Sequence, residues 1–146
     1  MSLVVRVIAP IGRDAELITG VLQENGLEAK LCRGIVSLAH EAGQGPIGPL
    51  LIAEEALDSN TVRQLAELIH NQPPWSDLPL LILTGTGRES SQSKRTEYER
   101  LPLGSPVLLE RPIRTATLVS SVRAACRARQ RQYEIRDPLL NATVHF

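Results

Sequence analysis

The sequence predicts an α/β domain: a doubly wound, five-stranded parallel sheet in the order 2-1-3-4-5, with helices on both faces. Three observations predict it. Short apolar runs alternate with amphipathic stretches along the chain. The runs over 49–53 (PLLIA) and 78–84 (LPLLILT) are continuously apolar, as strands covered on both faces are. Glycine and proline punctuate the alternation.

Each element has its own signal. Residues 3–8 (LVVRVI) are a β-branched run stopped by Pro10 and Gly12, hence a strand. Leu17, Ile18, Val21 and Leu22 recur at helical spacing over 14–25, and Gly26 ends that helix. Residues 28–32 (EAKLC) make a short second strand, and Ile35, Leu38 and Ala39 a short second helix. After the third strand at 49–53, Asp58 or Asn60 can cap a helix whose buried side is Val62, Leu65, Ala66 and Ile69. Pro73 and Pro74 end it. Residues 78–84 are the fourth strand and 106–110 (PVLLE) the fifth. Between them, 86–100 is polar and weakly periodic, and fits a frayed helix or a long loop equally well. Leu118, Val122, Ala125 and Tyr133 mark a last helix from Thr115 onward. One domain over 1–133 and a tail or linker over 134–146 are expected.

Composition narrows the function classes. The 146 residues carry 16 basic and 16 acidic side chains, so no global charge points to nucleic acid. Aromatic residues are only 3%, which leaves few rings for stacking on bases. Two cysteines, Cys32 and Cys126, exclude a disulfide scaffold and read as buried free thiols. No apolar run approaches the roughly 18 residues a membrane helix needs. The start, MSLVVRVIAP, lacks the basic region and cleavage site of a signal peptide, so a cytoplasmic protein is expected.

Over about residues 3–130 the chain resembles a receiver domain of two-component signalling, the flavodoxin-like response-regulator fold. The resemblance rests on Thr84 at the end of the fourth strand and on Glu110-Arg111-Pro112 after the fifth, where receivers carry Ser or Thr and a Lys-Pro pair. The segment Gln72-Pro73-Pro74-Trp75-Ser76-Asp77-Leu78-Pro79 is similar to one in divergent receivers fused to sensor histidine kinases.

The departures carry the functional expectation. A working receiver holds Mg²⁺ with a pair of acids after the first strand, where this chain has Ala9 and Pro10. Neither offers the oxygen ligands a hard cation demands. The phosphoacceptor Asp should end the third strand. Counting back 30 positions from Thr84, the family's usual spacing, reaches Glu54, and a one-residue slip reaches Ala53. The family Lys is Arg111, which keeps the charge and changes its geometry. Acyl-phosphate chemistry needs an accurately placed carboxylate and a metal clamp on the phosphoryl oxygens. The resemblance therefore implies a pseudo-receiver: no enzyme, no phosphorylation, no metal and no cofactor. A sharper reading has Glu54 present a permanent negative charge toward Thr84 and Arg111, as a phosphate mimic. The plainer reading, which we favour from sequence, makes Glu54 a solvent-facing carboxylate with Glu55 beside it.

Charge is unevenly divided. Residues 111–146 hold seven Arg and two acids, net +5; residues 1–110 hold nine basic and fourteen acidic residues, net −5. Arg123, Arg127, Arg129 and Arg131, with Arg136 beyond, are a candidate interaction surface for an acidic partner or a second copy of the chain. The resemblance implies a sensor histidine kinase as partner, in cis or in trans, met by the fourth and fifth strands and the last helix. Nucleic acid and membrane are disfavoured.

Other features read as structural. Gly85-Thr86-Gly87 lacks Walker spacing and its Lys. His40, His70 and His145 are scattered, and Ser90, Ser91 and Ser93 have no partner base in sequence. Trp75, the single tryptophan, is expected to pin its proline-flanked loop onto the domain. Two alternatives remain: a divergent but conventional response regulator, phosphorylated weakly, and a small α/β domain binding an anion or another ligand at the crevice around Ala9, Glu54, Thr84 and Arg111.

Overall fold

The computed structural model describes residues 3–10, 13–85 and 98–136. Five parallel strands form one sheet in the order β2-β1-β3-β4-β5: β1 Val5–Ile8, β2 Ala29–Leu31, β3 Leu50–Ala53, β4 Leu80–Thr84 and β5 Val107–Glu110. The helices are α1 Arg13–Glu24, α2 Ile35–Gln44, α3 Ser59–His70 and α4 Thr115–Arg136, and a 3₁₀ turn spans Glu54–Ala56. The expected fold class and strand order are those observed.

The pleat divides the core in two. Side chains alternate between sheet faces along a strand. Leu50 and Ile52 of β3, with Ile8, Leu80 and Ile82, pack on Leu38 of α2 and Leu65 of α3. Leu51, with Val5, Val7, Leu81 and Leu83, packs on Leu22 of α1 and on Leu118 and Val122 of α4. All of β3 and β4 is buried, which is why those runs lack polar alternation.

Element ends follow local chemistry. Gly26 closes α1 at φ +82°, and the Leu27 N–H reaches back to the Leu22 carbonyl at 3.0 Å. Asp58 caps α3 by accepting the Thr61 N–H at 2.7 Å, and this bond holds its carboxyl below the usual range. Asp58, and not Asn60, is therefore the cap. Pro49, Pro79 and Pro106 each stand just before a strand. They lack the N–H a ladder needs. The carbonyls of Pro49 and Pro79 still accept the amides of Arg6 and Leu50, at 3.0 and 2.9 Å.

Three expectations are corrected. Leu17 is 59% exposed; the buried seam of α1 is Ala15, Thr19 and Leu22, with Ile18 half-buried. That seam already fills one helical face at i, i+4 and i+7, and Leu17 lies off it. Ala39 is exposed, since Ile35 and Leu38, with Ala42 partly buried, face the sheet from α2. The last helix runs on through Arg136, three residues beyond the expected domain end at 133. Its end is held by side chains too polar to register as core: Arg129, Gln132 and Tyr133 bond to the segments before β3 and β4. The rest of the expected tail, 137–146, lies outside the described residues, as do 86–97 of the stretch before β5.

Two buried arginines differ in their surroundings. Arg6 of β1 is 7% exposed and donates to Glu41 of α2 at 2.8 Å and to the Val4 carbonyl at 2.7 Å. Lys30 of β2 reaches the other Glu41 oxygen at 2.9 Å, so one carboxylate ties two strands to a helix. Arg129 of α4 is 3% exposed and has no carboxylate in ion-pair reach among the described residues.

Candidate functional site

The ladders bring three sequence-distant residues to one rim. Ala53 pairs with Leu83, so Glu54, one step on, stands abreast of Thr84. Thr84 in turn pairs with Glu110, which places Arg111 just beyond. Ala53 is inside β3 and 4% exposed, which leaves Glu54 as the first side chain beyond the strand. The carboxyl ends of parallel strands are where open α/β sheets gather their binding groups.

Bonding within the rim differs from the expectation. Glu54 is half-buried, not solvent-facing. One of its oxygens accepts the Gly85 N–H at 2.6 Å; the other accepts the Tyr98 hydroxyl at 2.9 Å. Arg111 donates from Nε to the Thr84 carbonyl at 3.0 Å, and from Nη2 it forms an ion pair with Glu55. That bond holds the Glu55 carboxyl below its ordinary range, against partial desolvation and the charge of Glu54. Thr84 is 3% exposed, and its hydroxyl lies 3.5 Å from the Leu109 carbonyl, at the long limit of a hydrogen bond.

The rim therefore centres on Gly85. A Cβ built there would lie 3.0 Å from Glu54 Oε2, 3.6 Å from Arg111 Nη2 and 3.8 Å from Glu55 Oε1. The peptide Arg111–Pro112 is cis.

Sequence reasoning missed Glu55, Gly85 and Tyr98. In sequence Glu55 reads only as the neighbour of Glu54, yet adjacent carboxylates leaving a strand can take different partners. Gly85 contributes a backbone N–H, which no motif search reads. Tyr98 is buried at 6% exposure and is the one aromatic in the polar stretch 86–100; that isolation was its signal.

Ala9 is half-buried and Pro10 exposed beyond β1. Neither carries a side-chain oxygen, so a Mg²⁺ clamp of the receiver kind does not fit these residues. Among the described residues no group of three His, Cys, Asp or Glu could hold a metal ion.

On α4, Arg123, Arg127 and Arg131 are exposed at four-residue spacing and share one face. Arg123 also donates to the Asn25 carbonyl at 2.8 Å. Arg129 does not belong to this surface. Two residues on from Arg127, it points about 200° away, into the protein. There it donates to the Ile47 carbonyl, Ser76, Gln132 and Tyr133.

Trp75 pins its loop as expected. Its ring lies 5.1 Å from that of Tyr133, and Arg129 and Arg136 stand 5.8 and 5.4 Å from its centroid. Cys32 is buried, whereas Cys126 is half-buried, and burial pushes its thiol up. His40 and His70 are exposed on α2 and α3. His145, Ser90, Ser91, Ser93, Thr86 and Gly87 lie outside the described residues. No described helix is long and apolar enough to cross a membrane.

No family model and no curated protein matches the sequence. Solved structures do match. The chain is similar to NtrX from Brucella abortus with a TM-score of 0.67 and 18% identity, over 94% of this chain and 29% of that one. It thus spans less than a third of that protein's length. A sensor protein from Polaromonas sp. JS666 gives a TM-score of 0.67 and 15% identity, over 87% of this chain and 98% of that one. The chemotaxis protein CheY4 from Vibrio cholerae gives 0.65 and 17%, over 86% and 99%. With the all-parallel 2-1-3-4-5 sheet, these likenesses establish the fold as that of response-regulator receiver domains.

Proposed function

We propose that this receiver-fold domain is a non-catalytic, cytoplasmic signalling module that takes no phosphoryl group and works by protein contact in a histidine-kinase two-component system. The observation that carries the reading is Glu54. A carboxylate one methylene longer than Asp occupies the acceptor position, and its two oxygens are engaged by the Gly85 N–H and the Tyr98 hydroxyl. Ala9 and Pro10 supply no metal oxygens beside it. A nucleophile held this way, without a metal clamp, is poorly placed to attack phosphorus.

The same geometry departs from the plainer reading, since Glu54 is half-buried and bonded, and it keeps of the phosphate-mimic reading a fixed negative charge beside Thr84 but not its contact with Arg111. Glu54 fixes a negative charge against the Gly85 amide, immediately after Thr84. Arg111 stays with Glu55 and the Thr84 carbonyl. The domain then holds one conformation rather than exchanging between two.

For the contact surface, the exposed row Arg123, Arg127 and Arg131 suits an acidic partner, and a sensor kinase or a second copy of the chain are the candidates.

The test is incubation with acetyl phosphate, or with beryllofluoride, in the presence of Mg²⁺, read by intact mass and amide NMR. No adduct, and no shifts at Glu54, Thr84 or Arg111, is the expected result. A stoichiometric adduct or saturating shifts overturn the proposal and restore a switchable regulator.

A further inference from the structure

We propose that the cleft at the opposite end of the sheet, before β3 and β4, binds a small organic anion: a carboxylate on an apolar body, received by Arg129. The cavity there is about 300 Å³. Its walls include Ile47, Leu68, Trp75, Leu78, Arg129 and Tyr133.

The first argument is charge. Arg129 is buried, and desolvation acts against its charged form, holding its pKa below the usual Arg value. A guanidinium nevertheless keeps its proton in proteins. A buried cation is normally paired, and the other buried arginine among the described residues, Arg6, is paired with Glu41. Arg129 instead meets neutral acceptors: the Ile47 carbonyl at 3.0 Å, Ser76 Oγ at 2.8 Å, Gln132 Oε1 at 2.7 Å and the Tyr133 hydroxyl at 3.0 Å. Asp77 contributes only a weaker Coulombic influence, and Arg136, 4.9 Å from the Tyr133 centroid, adds a second positive charge nearby.

The second argument is valence. A guanidinium has five N–H donors, and four acceptors meet it here, so one N–H is left over. A carboxylate accepts such a donor with a charge-assisted bond.

The third argument is the lining. Besides the polar Asn71, Gln72 and Ser76, the lining carries Ile47, Leu68, Trp75 and Leu78, which suit an apolar body. A volume at the small end of ligand pockets fits an anion of about ten heavy atoms or fewer. The α3–β4 segment and α4 both form the walls, so an occupant would tighten the docking of that helix. This site is separate from the Glu54 rim by the full length of the strands.

The single tryptophan lines the cavity, so its emission reports occupancy directly. The probes are cyclohexanecarboxylate and its uncharged amide, titrated against the full chain. The expected result is a saturable change in Trp75 emission with Kd on the order of 0.1–1 mM for the acid, at least about tenfold weaker for the amide. Two variants keep the test decisive. Arg129→Gln removes the charge and should abolish the preference for acid over amide. If that variant does not fold, Gly43→Leu decides: Gly43 lines the cavity, a Cβ there meets nothing within 4 Å, and the added side chain should weaken the acid at least about tenfold. No saturable change up to about 10 mM, or equal response to acid and amide, overturns the proposal. So does acid binding undiminished in the variant that folds.

Discussion

Tyr133 and Ile47 stand 86 residues apart, and the Tyr133 hydroxyl accepts the Ile47 N–H at 2.9 Å. The same oxygen receives Arg129 Nη2 at 3.0 Å. One phenol thereby fixes the end of α4 to the segment entering β3. Tyr133→Phe keeps the ring and removes the acceptor from a buried N–H. We expect a loss of about 1–3 kcal/mol, seen as a lower urea midpoint with Trp75 emission as the probe.

Glu41 should make the fold acid-sensitive. Its bond to Arg6, and then that to Lys30, hold its carboxyl below the ordinary value. A carboxylate whose pKa is depressed on folding contributes stability that is present above its unfolded pKa and lost as pH falls through its folded one. Stability should therefore decline below about pH 4.3 as Arg6 loses its counter-charge. Glu41→Ala should flatten that part of the profile and cost about 2–4 kcal/mol at neutral pH, measured by urea unfolding across pH.

The Glu54–Gly85 contact should be visible as a single resonance. A 2.6 Å bond to a carboxylate deshields the amide proton strongly. Glu54→Ala should move the Gly85 amide upfield by far more than the amides of β1 and β2. Tyr98→Phe should move it less, since that change removes only the hydroxyl bond to the second carboxylate oxygen. An unmoved Gly85 amide in Glu54→Ala would remove the contact from the account.

Both thiols should be slow to react. Cys32 is buried, and burial raises the Cys126 pKa, leaving little thiolate at pH 8. A thiol reagent should modify both at once in urea and neither rapidly in the native chain, with Cys126 the first to respond as pH rises.

The sheet was legible because both of its codes are local. Continuous apolar runs mark β3 and β4, although the expected strands took in Pro49 and Pro79, and pairing begins only after those prolines. Helix faces were less legible. Leu17 satisfies the apolar period, yet Ala15 and Thr19 take the seam, because periodicity does not say which of two neighbouring faces meets the sheet. At the rim, the resemblance to receivers points to Thr84, Arg111 and, by that family's spacing, Glu54, but it does not give their bonding. Glu55 takes Arg111, and Glu54 takes a backbone N–H and a tyrosine 44 residues away. Arg129 was misread for a plain reason. The five arginines share a composition but not a helical phase: Arg129, two positions from both Arg127 and Arg131, falls on the opposite side of α4 and is buried there.

Gly48 shows what close passage between chain segments demands of a sequence. A Cβ at that position would lie 2.5 Å from the Val4 carbonyl oxygen and 2.9 Å from its carbon, both backbone atoms that cannot rotate aside. Position 48 thus has an alphabet of one letter. In a saturation library of this domain, sorted for folded protein, it should be the most depleted site outside the core, with Gly48→Ala already failing. The genetic code makes that fragility asymmetric: third-base changes in a glycine codon are silent, and every amino-acid change by a first- or second-base step introduces a side chain where there is no room for one.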